Sequence, residues 1–297
     1  MARLGIPDPV SSTDRHSGGS DCHSSTATAP VDRTVLVNVP TVYLHGARLH
    51  AITEQQCIKL ILSCLDATRG GSVNTMNLDH LRQFVQNNKF AELYDKASIV
   101  TADGMPLIWA SSLRGTPLPE RVTGSNLISS LTAAAAERGK SIFLLGGAPG
   151  AAQSTGTVLA ARHPNLCIAG VSSRPNESTT DDSEWQSIAE MLEAARPDII
   201  FVALGCPRQE QLIEAFRHLL PCAWWIGVGV AFSFVAGTIP RAPLWMQRAG
   251  LEWFHRLLKE PRRLARRYLI QGVPFAVTLF RTAALERFSA QKNLRKP

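Results

Sequence analysis

Four short polar segments of this chain each follow an apolar run, and their side chains are the ones that could do chemistry. In residues 75–77, Thr75 and Asn77 supply a hydroxyl and an amide that could cap the next helix or bind a ligand hydroxyl. In residues 101–104, Asp103 is followed by glycine, so its carboxylate could serve the turn or accept a proton from an attacking hydroxyl group. The residue types alone leave both alternatives open at each segment.

The third and fourth segments carry glycine and charge. Gly146 and Gly147 begin the run GGAPG before an Ala-rich helix, where a diphosphate could approach the backbone, although the spacing is neither GxGxxG nor a P-loop and a plain tight turn explains it as well. Residues 205–210, GCPRQE, place Arg, Gln and Glu directly after a proline. Proline suits the first turn of a helix but does not explain the polar residues that follow it. We therefore count both segments as candidate ligand-binding loops.

The pattern of possible metal ligands points away from a metal site. No DxD motif occurs, and no Cys, His, Asp or Glu group has metal-site spacing. A diphosphate in the substrate would then have to be met by Arg, Lys and backbone amides. We expect no metal and no bound cofactor.

The elements that must position these segments form an α/β fold. Short apolar runs alternate with helix-period segments, which predicts a Rossmann-like sheet with helices on both faces. Ligands of open α/β sheets bind beyond the carboxyl ends of the strands, so the four segments should meet at one edge. Strands are predicted near 41–45, 72–75, 98–101, 141–145, 167–171, 198–204 and 223–228, and helices near 53–67, 78–94, 123–138, 150–162, 183–195 and 207–219.

The chain divides by composition into three parts. Residues 1–38 are rich in Ser, Thr, Asp, Gly and Pro and are predicted to be a disordered tail. Residues 39–240 form the predicted α/β core, and residues 241–297 a basic amphipathic helical appendage. Of the net charge of +7, residues 241–267 carry most, because eight Arg or Lys stand against two Glu, which leaves +6. The charge predicts an anionic partner.

The appendage also carries large apolar side chains. Trp245, Trp253, Phe254 and Leu257 are interleaved with its basic residues, a mixture that suits the headgroup region of an anionic bilayer. The N-terminus lacks a signal pattern, and we find no continuous run of about 18 apolar residues that would span a bilayer. We therefore predict a cytoplasmic protein that binds the inner face of the membrane peripherally.

Seven blocks of the sequence together resemble the WecG/TagA/CpsF glycosyltransferases, glycosyltransferase family 26. The resemblance spans roughly residues 40–270, and its last two blocks, in this order, are the most specific. The blocks are TMN, ADGMPLIW, ERVTG, FLLGGAPG, RPDIIFVALGCPRQE, GVGVAFSFVAG and RAPLWMQRAGLEWFHRLLKEPRRLARRY. The resemblance implies an inverting, metal-independent transfer of a hexose from a UDP-sugar to a sugar on polyprenyl diphosphate, in bacterial exopolysaccharide or cell-surface polysaccharide biosynthesis.

The resemblance also assigns roles to residues. It makes Asp103 the general base, and it implies an appendage that closes over the active site at the membrane and contributes arginines. The residues that it places in or over the pocket are Thr75, Asn77, Arg121, Gln209, Arg256, Arg263 and Arg266.

Two positions depart from the family pattern. The family usually has Asp where this chain has Ser233 and often has Asp where it has Asn126. A missing carboxylate at 233 could change how the ribose or the sugar of the donor is held. Glucose and N-acetylmannosamine are both credible donor sugars, and the divergence favours glucose.

Three other classes of protein compete with a glycosyltransferase. A nucleotide-sugar-binding protein that has lost activity fits the two departures, but Asp103 and the appendage arginines argue against it. A nucleic-acid-binding module has only the charge in its favour, because no helix-turn-helix, zinc-finger or RNP-like motif is present. A Rossmann dehydrogenase fails on spacing, because the glycine-rich turn comes mid-chain and no acidic ribose-binding residue follows it.

Overall fold

The structure, a computed structural model, describes residues 39–173 and 182–294. The predicted tail at residues 1–38 lies outside them. The strands are β1 Thr41–Leu44, β2 Ala47–His50, β3 Gly71–Met76, β4 Ile99–Ala102, β5 Ser141–Gly146, β6 Cys167–Ser172, β7 Ile199–Ala203 and β8 Trp224–Gly227. The helices are α1 Glu54–Asp66, α2 Leu78–Gln86, α3 Asn88–Asp95, α4 Met105–Arg114, α5 Gly124–Glu137, α6 Ala151–Arg162, α7 Asp182–Ala195, α8 Arg208–Phe216, α9 Ala231–Val235, α10 Leu244–Arg248, α11 Glu252–Lys259, α12 Pro261–Ala265 and α13 Val273–Leu294.

Six strands form one parallel sheet in the order β4-β3-β8-β7-β5-β6. Successive side chains of a strand point to opposite faces, and here both faces are buried. In β5, for example, Ile142 and Leu144 belong to one apolar cluster while Phe143 and Leu145 belong to another. The predicted α/β sheet with helices on both faces is confirmed.

The first predicted strand is one half of a hairpin, β1-β2, whose second strand the sequence did not indicate. The two strands pair antiparallel, and His45 and Gly46 connect them with φ values of 47° and 83°. Two successive positive φ values form the tight turn whose twist matches a hairpin. We predicted only the first strand because a His-Gly pair is a weak turn signal.

Two helix predictions need correction near the site. The helix predicted over 78–94 is two helices, because Asn87 adopts an extended conformation and its side chain accepts the Phe90 N–H as the cap of α3. The prediction also missed α4, which begins directly after Asp103-Gly104 with Pro106 in its first turn. Proline is tolerated at that position because its missing N–H would have no partner there.

After α12 the chain continues through a π-helical turn, Arg266–Gly272, into α13. Leu279 and Ala283 of α13 are buried in the same apolar cluster as residues of α4, and Glu286 pairs with Arg114. The continuous helix Pro261–Ser289 is long and apolar enough to cross a membrane by length and composition alone. The expectation of no spanning run overlooked this helix because Gln271 and Arg281 interrupt its apolar stretch.

Candidate active site

The first two polar segments meet at the carboxyl ends of β3 and β4, as the sequence predicted. The two strands are neighbours with Met76 opposite Ala102, and the backbone N–H of Asp103 donates to the carbonyl of Met76 at 2.7 Å. The side chain of Thr75 lies beside the carboxylate of Asp103 and lowers its pKa. The carboxylate of Asp103 is therefore held at a rigid strand end, with Thr75 of the adjacent strand beside it.

The environment of Asp103 tunes its acidity. Burial and the charge of Glu252 raise the pKa of this carboxyl, Arg121, Thr75 and Arg241 lower it, and the net result is an increase from 3.8 to about 6. A carboxylate with a pKa near 6 is mostly ionised at neutral pH but accepts a proton far more readily than an ordinary aspartate. Asp103 has the properties of a general base.

Asn77 caps the helix that follows it. Its Oδ1 accepts the backbone N–H groups of Asp79 and His80 at 3.0 Å, and its Nδ2 lies 3.2 Å from His80 Nε2. Of the two roles that the sequence left open, helix capping is the one present in this structure. Thr75, by contrast, directs its hydroxyl to the candidate base.

A carboxylate from the appendage joins two arginines beside Asp103. Arg121 Nη1 lies 3.1 Å from Glu252 Oε2, and Arg241 Nε lies 3.1 Å from Glu252 Oε1. Burial would raise the pKa of Glu252, but Arg241 and Arg121 lower it below its ordinary value. The structure thus places Arg121 near Asp103, together with Arg241 and Glu252, two residues that sequence reasoning had counted only as charge.

A close contact sets the position of α11 and therefore of Glu252. Gly250 precedes this helix with φ of +75°, and a Cβ built on it would lie only 2.3 Å from Cγ of Met105. Met105 is the first residue of α4, two residues after Asp103. Only glycine combines this backbone conformation with so near an approach. The appendage therefore lies directly against the helix that follows the candidate base.

The three arginines assigned from the family resemblance lie elsewhere on the appendage. Arg263 is exposed and pairs with Glu260 at 2.6 Å, Arg266 is exposed, and Arg256 is half-buried. Within residues 39–173 and 182–294, none of these side chains forms an ion pair or hydrogen bond with the strand-end segments. This arrangement does not bring them to Asp103, and their role stays a prediction.

Gln209 joins the ends of β7 and β8. Its side chain is buried, its Oε1 accepts the Gly229 N–H at 3.0 Å, and its Nε2 donates to Glu210 Oε1 at 3.0 Å. A Cβ at Gly227 would lie 2.8 Å from Nε2, so the amide packs directly on the end of β8. Both ends of the amide therefore have partners within the protein.

The glycine-rich turn lies at the end of β5. Gly146 and Gly147 have φ values of +98° and +86°, which favour glycine, and the Gly147 N–H donates to the carbonyl of Ala203 at 2.7 Å. A Cβ at Gly146 would meet Leu204 at 2.8 Å. The tight-turn role is present, and binding of a diphosphate there stays a prediction.

Three possible metal ligands that are far apart in sequence come together behind the site. One donor atom each from His80, Cys206 and Glu210 lies within 4.8 Å of the others, and the buried Glu210 Oε2 has no hydrogen-bond partner among the residues that the structure describes. Both ring nitrogens of His80 already have polar neighbours, however: Nδ1 lies 2.9 Å from the Tyr94 hydroxyl and Nε2 faces Asn77. Burial, and then the nearby Arg267, lower the pKa of His80 to about 4. These contacts favour a buried polar network over a metal site.

A doubly covered parallel sheet, with a tuned carboxylate at one strand end and two guanidinium groups beside it, is the architecture of an α/β enzyme with a candidate active site at that edge. The chain belongs to the glycosyl transferase WecG/TagA/CpsF family, whose sequence model matches residues 42–289. It is a glycosyltransferase, and the resemblance noted in the sequence is confirmed.

Two relatives share the name N-acetylglucosaminyldiphosphoundecaprenol N-acetyl-beta-D-mannosaminyltransferase. The protein of Bacillus subtilis is 31% identical over 202 residues, which cover 68% of this chain and 77% of the relative. The protein of Bacillus spizizenii is 34% identical over 202 residues, which cover 68% of this chain and 76% of the relative.

Proposed function

We propose that this protein is an inverting, metal-independent glycosyltransferase that moves a hexose from a UDP-sugar to a polyprenyl-diphosphate-linked sugar in bacterial exopolysaccharide or cell-surface polysaccharide biosynthesis. The observation that carries the proposal is Asp103, a strand-end carboxylate with a pKa of about 6 beside two arginines. The names of the two relatives support a lipid-linked acceptor. They also make N-acetylmannosamine the first donor sugar to test, with glucose the second.

The proposed reaction starts with proton transfer. Asp103 takes the proton of the acceptor hydroxyl, whose oxygen attacks the anomeric carbon of the donor from the face opposite UDP. The bond from that carbon to the diphosphate oxygen breaks, and the configuration inverts. Negative charge that develops on the departing UDP needs preorganised cations in a site shielded from water. Arg121 lies beside Asp103, and Arg256, Arg263 and Arg266 are further candidates if the appendage moves.

Release of UDP tests the function directly. Purified full-length protein is incubated in EDTA with a polyprenyl-diphosphate-linked acceptor and a panel of UDP-sugars, and UDP is measured over time. Turnover with one donor that survives EDTA supports the proposal. Binding of UDP without turnover of any donor would instead support a catalytically inactive nucleotide-sugar-binding protein.

The rate should depend on pH through Asp103. A general base acts only when it is ionised, so we expect kcat/KM to be constant above pH 7 and to fall about tenfold per unit below the pKa of about 6. An ordinary aspartate would keep full activity down to about pH 4. A profile without a limb between pH 5 and 7 would contradict the assignment of Asp103 as the base.

We also propose that the appendage binds an anionic membrane surface. Its exposed apolar side chains lie among cations on the same short helices. The apolar residues are Leu244, Trp245, Trp253, Phe254, Leu258, Leu269, Ile270, Val273 and Val277. Because Leu279 and Ala283 fix α13 against the body, the proposal is binding in the plane of the surface and not a crossing of the bilayer.

Vesicle co-sedimentation measures this binding. We expect strong binding to vesicles that contain phosphatidylglycerol, and a decrease of about tenfold or more when added salt screens the cations. Vesicles of phosphatidylcholine alone are the control and should bind weakly. Equal binding to both kinds of vesicle would contradict an electrostatic contribution, and protein that resists extraction by salt and alkali would indicate insertion.

A further inference from the structure

The carboxylate of Glu252 occupies the space between two guanidinium groups in a half-buried site. Each of its oxygens faces a different arginine at 3.1 Å, Arg121 on one side and Arg241 on the other. The side chains of Arg121 and Glu252 are each 16% exposed and that of Arg241 is 23% exposed. The two guanidinium groups are therefore accessible to solvent but largely shielded from water. Charge-assisted hydrogen bonds are strong in such surroundings.

Both arginines are held in place by partners other than Glu252. Arg241 Nη2 donates to Asn126 Oδ1 at 2.8 Å, and its guanidinium carbon lies 5.9 Å from the centre of the Phe234 ring. Arg121 Nη2 lies 3.5 Å from the carbonyl of Gln247. Because these partners are uncharged, they orient the guanidinium groups without neutralising them.

The geometry of the site suits an anion with more oxygens than one carboxylate. Two guanidinium groups share the single carboxylate of Glu252, with one oxygen facing each of them. A diphosphate presents several oxygens and more charge in the same space, and guanidinium groups bind phosphate oxygens in a bidentate way.

We infer that Arg121 and Arg241 are a diphosphate-binding pair and that Glu252 is its internal stand-in, which holds the two arginines until a diphosphate displaces it. This inference deepens the proposed function and rests on it for the substrate class. The diphosphate could be that of the donor nucleotide or that of the lipid-linked acceptor. Arg241 then acts on the leaving group or the acceptor head, and Glu252 sets the affinity for it.

Calorimetric titration of the full-length protein distinguishes these cases. The ligands are UDP, UMP and farnesyl diphosphate, and the variants are Glu252→Gln and Arg241→Gln. Removing the competing carboxylate should tighten diphosphate binding about tenfold, and removing the guanidinium should weaken it about tenfold or more, because a charged hydrogen bond is worth roughly 1.5–3 kcal/mol. UMP should change little. Glu214→Gln is the matched control, since Glu214 also bridges two cations, Lys96 and Arg217.

The outcomes separate clearly. Tighter binding of UDP by Glu252→Gln assigns the pair to the donor, and tighter binding of farnesyl diphosphate assigns it to the acceptor. The inference is overturned if neither ligand gains affinity, if UMP gains as much as UDP, or if the wild-type protein binds no diphosphate. Should Glu252→Gln fail to fold, Arg241→Gln decides, because loss of this guanidinium group should weaken diphosphate binding about tenfold or more. These titrations need no turnover, so a failure of the proposed reaction can be distinguished from a failure of this inference.

Discussion

Asp103→Asn is expected to lower the rate of UDP release about a thousandfold while raising the melting temperature. The loss follows because a positioned general base contributes roughly 10²–10⁴ to a rate, and an amide accepts no proton. The shape of the side chain is kept, so substrate affinity should change far less than kcat. Single-turnover measurement of UDP release with saturating acceptor gives the chemical step.

The gain in stability follows from linkage. Burial raises the pKa of Asp103 in the folded protein, so its protonated form favours folding, and this contribution is present below pH 4 and lost as the pH rises through about 6. At neutral pH the ionised group therefore costs the fold at most about 3 kcal/mol, which the neutral amide avoids. Differential scanning calorimetry at pH 7.5 measures the difference.

Asp66→Asn is the control for Asp103→Asn. Asp66 pairs on the surface with Arg138 and Lys140, which lower its pKa, so this variant should keep full activity and be no more stable than the wild type. An Asp103→Asn protein with more than a tenth of the wild-type rate would exclude Asp103 as the base. A lower melting temperature for Asp103→Asn than for the wild type at pH 7.5 would be inconsistent with the raised pKa of Asp103.

Arg121→Gln is expected to lower kcat/KM by about 10²–10³-fold and to move the acidic limb of the pH profile upward. The first effect follows because a preorganised cation beside developing negative charge is worth about 3–4 kcal/mol. The second follows because Arg121 lowers the pKa of Asp103, so its removal leaves burial and Glu252 less opposed. Steady-state rates from pH 5 to 9 measure both effects on the same protein.

The pH profile makes this prediction specific. A merely structural role of Arg121 would reduce activity at all pH values without moving the midpoint. Arg138→Gln is the matched control, because Arg138 pairs with Asp66 on an exposed surface and should change neither quantity. An unchanged midpoint in Arg121→Gln would show that Arg121 does not control the ionisation of the base.

The sequence indicated the sheet because strand burial is a local property. Segments such as DIIFVAL are apolar at nearly every position, as a strand covered on both faces must be, and β7 is buried throughout its length. Since parallel strands end at one edge, the residues that follow them are candidates on sequence grounds, and Thr75 and Asp103 do lie together. The missed elements, β2 and α4, begin at weak local signals, a His-Gly turn and a proline.

The local sequence pattern could not decide which arginines lie beside the candidate general base, Asp103. The stretch 241–267 contains eight basic residues, and the family resemblance that singled out Arg256, Arg263 and Arg266 does not say which way each side chain points. The structure brings Arg241 to the site instead, because the contact of Gly250 with Met105 fixes where α11 begins and so where Glu252 lies. That contact joins residues far apart in the chain.

By itself, the sequence determined the α/β class, the edge of the sheet where chemistry can occur, the carboxylate at Asp103 and the basic, apolar character of the appendage. The periodicity of apolar residues, the ends of the strands and the composition are properties of the local sequence, so they can be predicted without a structure. Only the tertiary structure decided the pKa of Asp103 and the bridge from Glu252 to Arg121 and Arg241. Desolvation and pairing of charges depend on which distant segments pack together, and packing is a property of the folded chain.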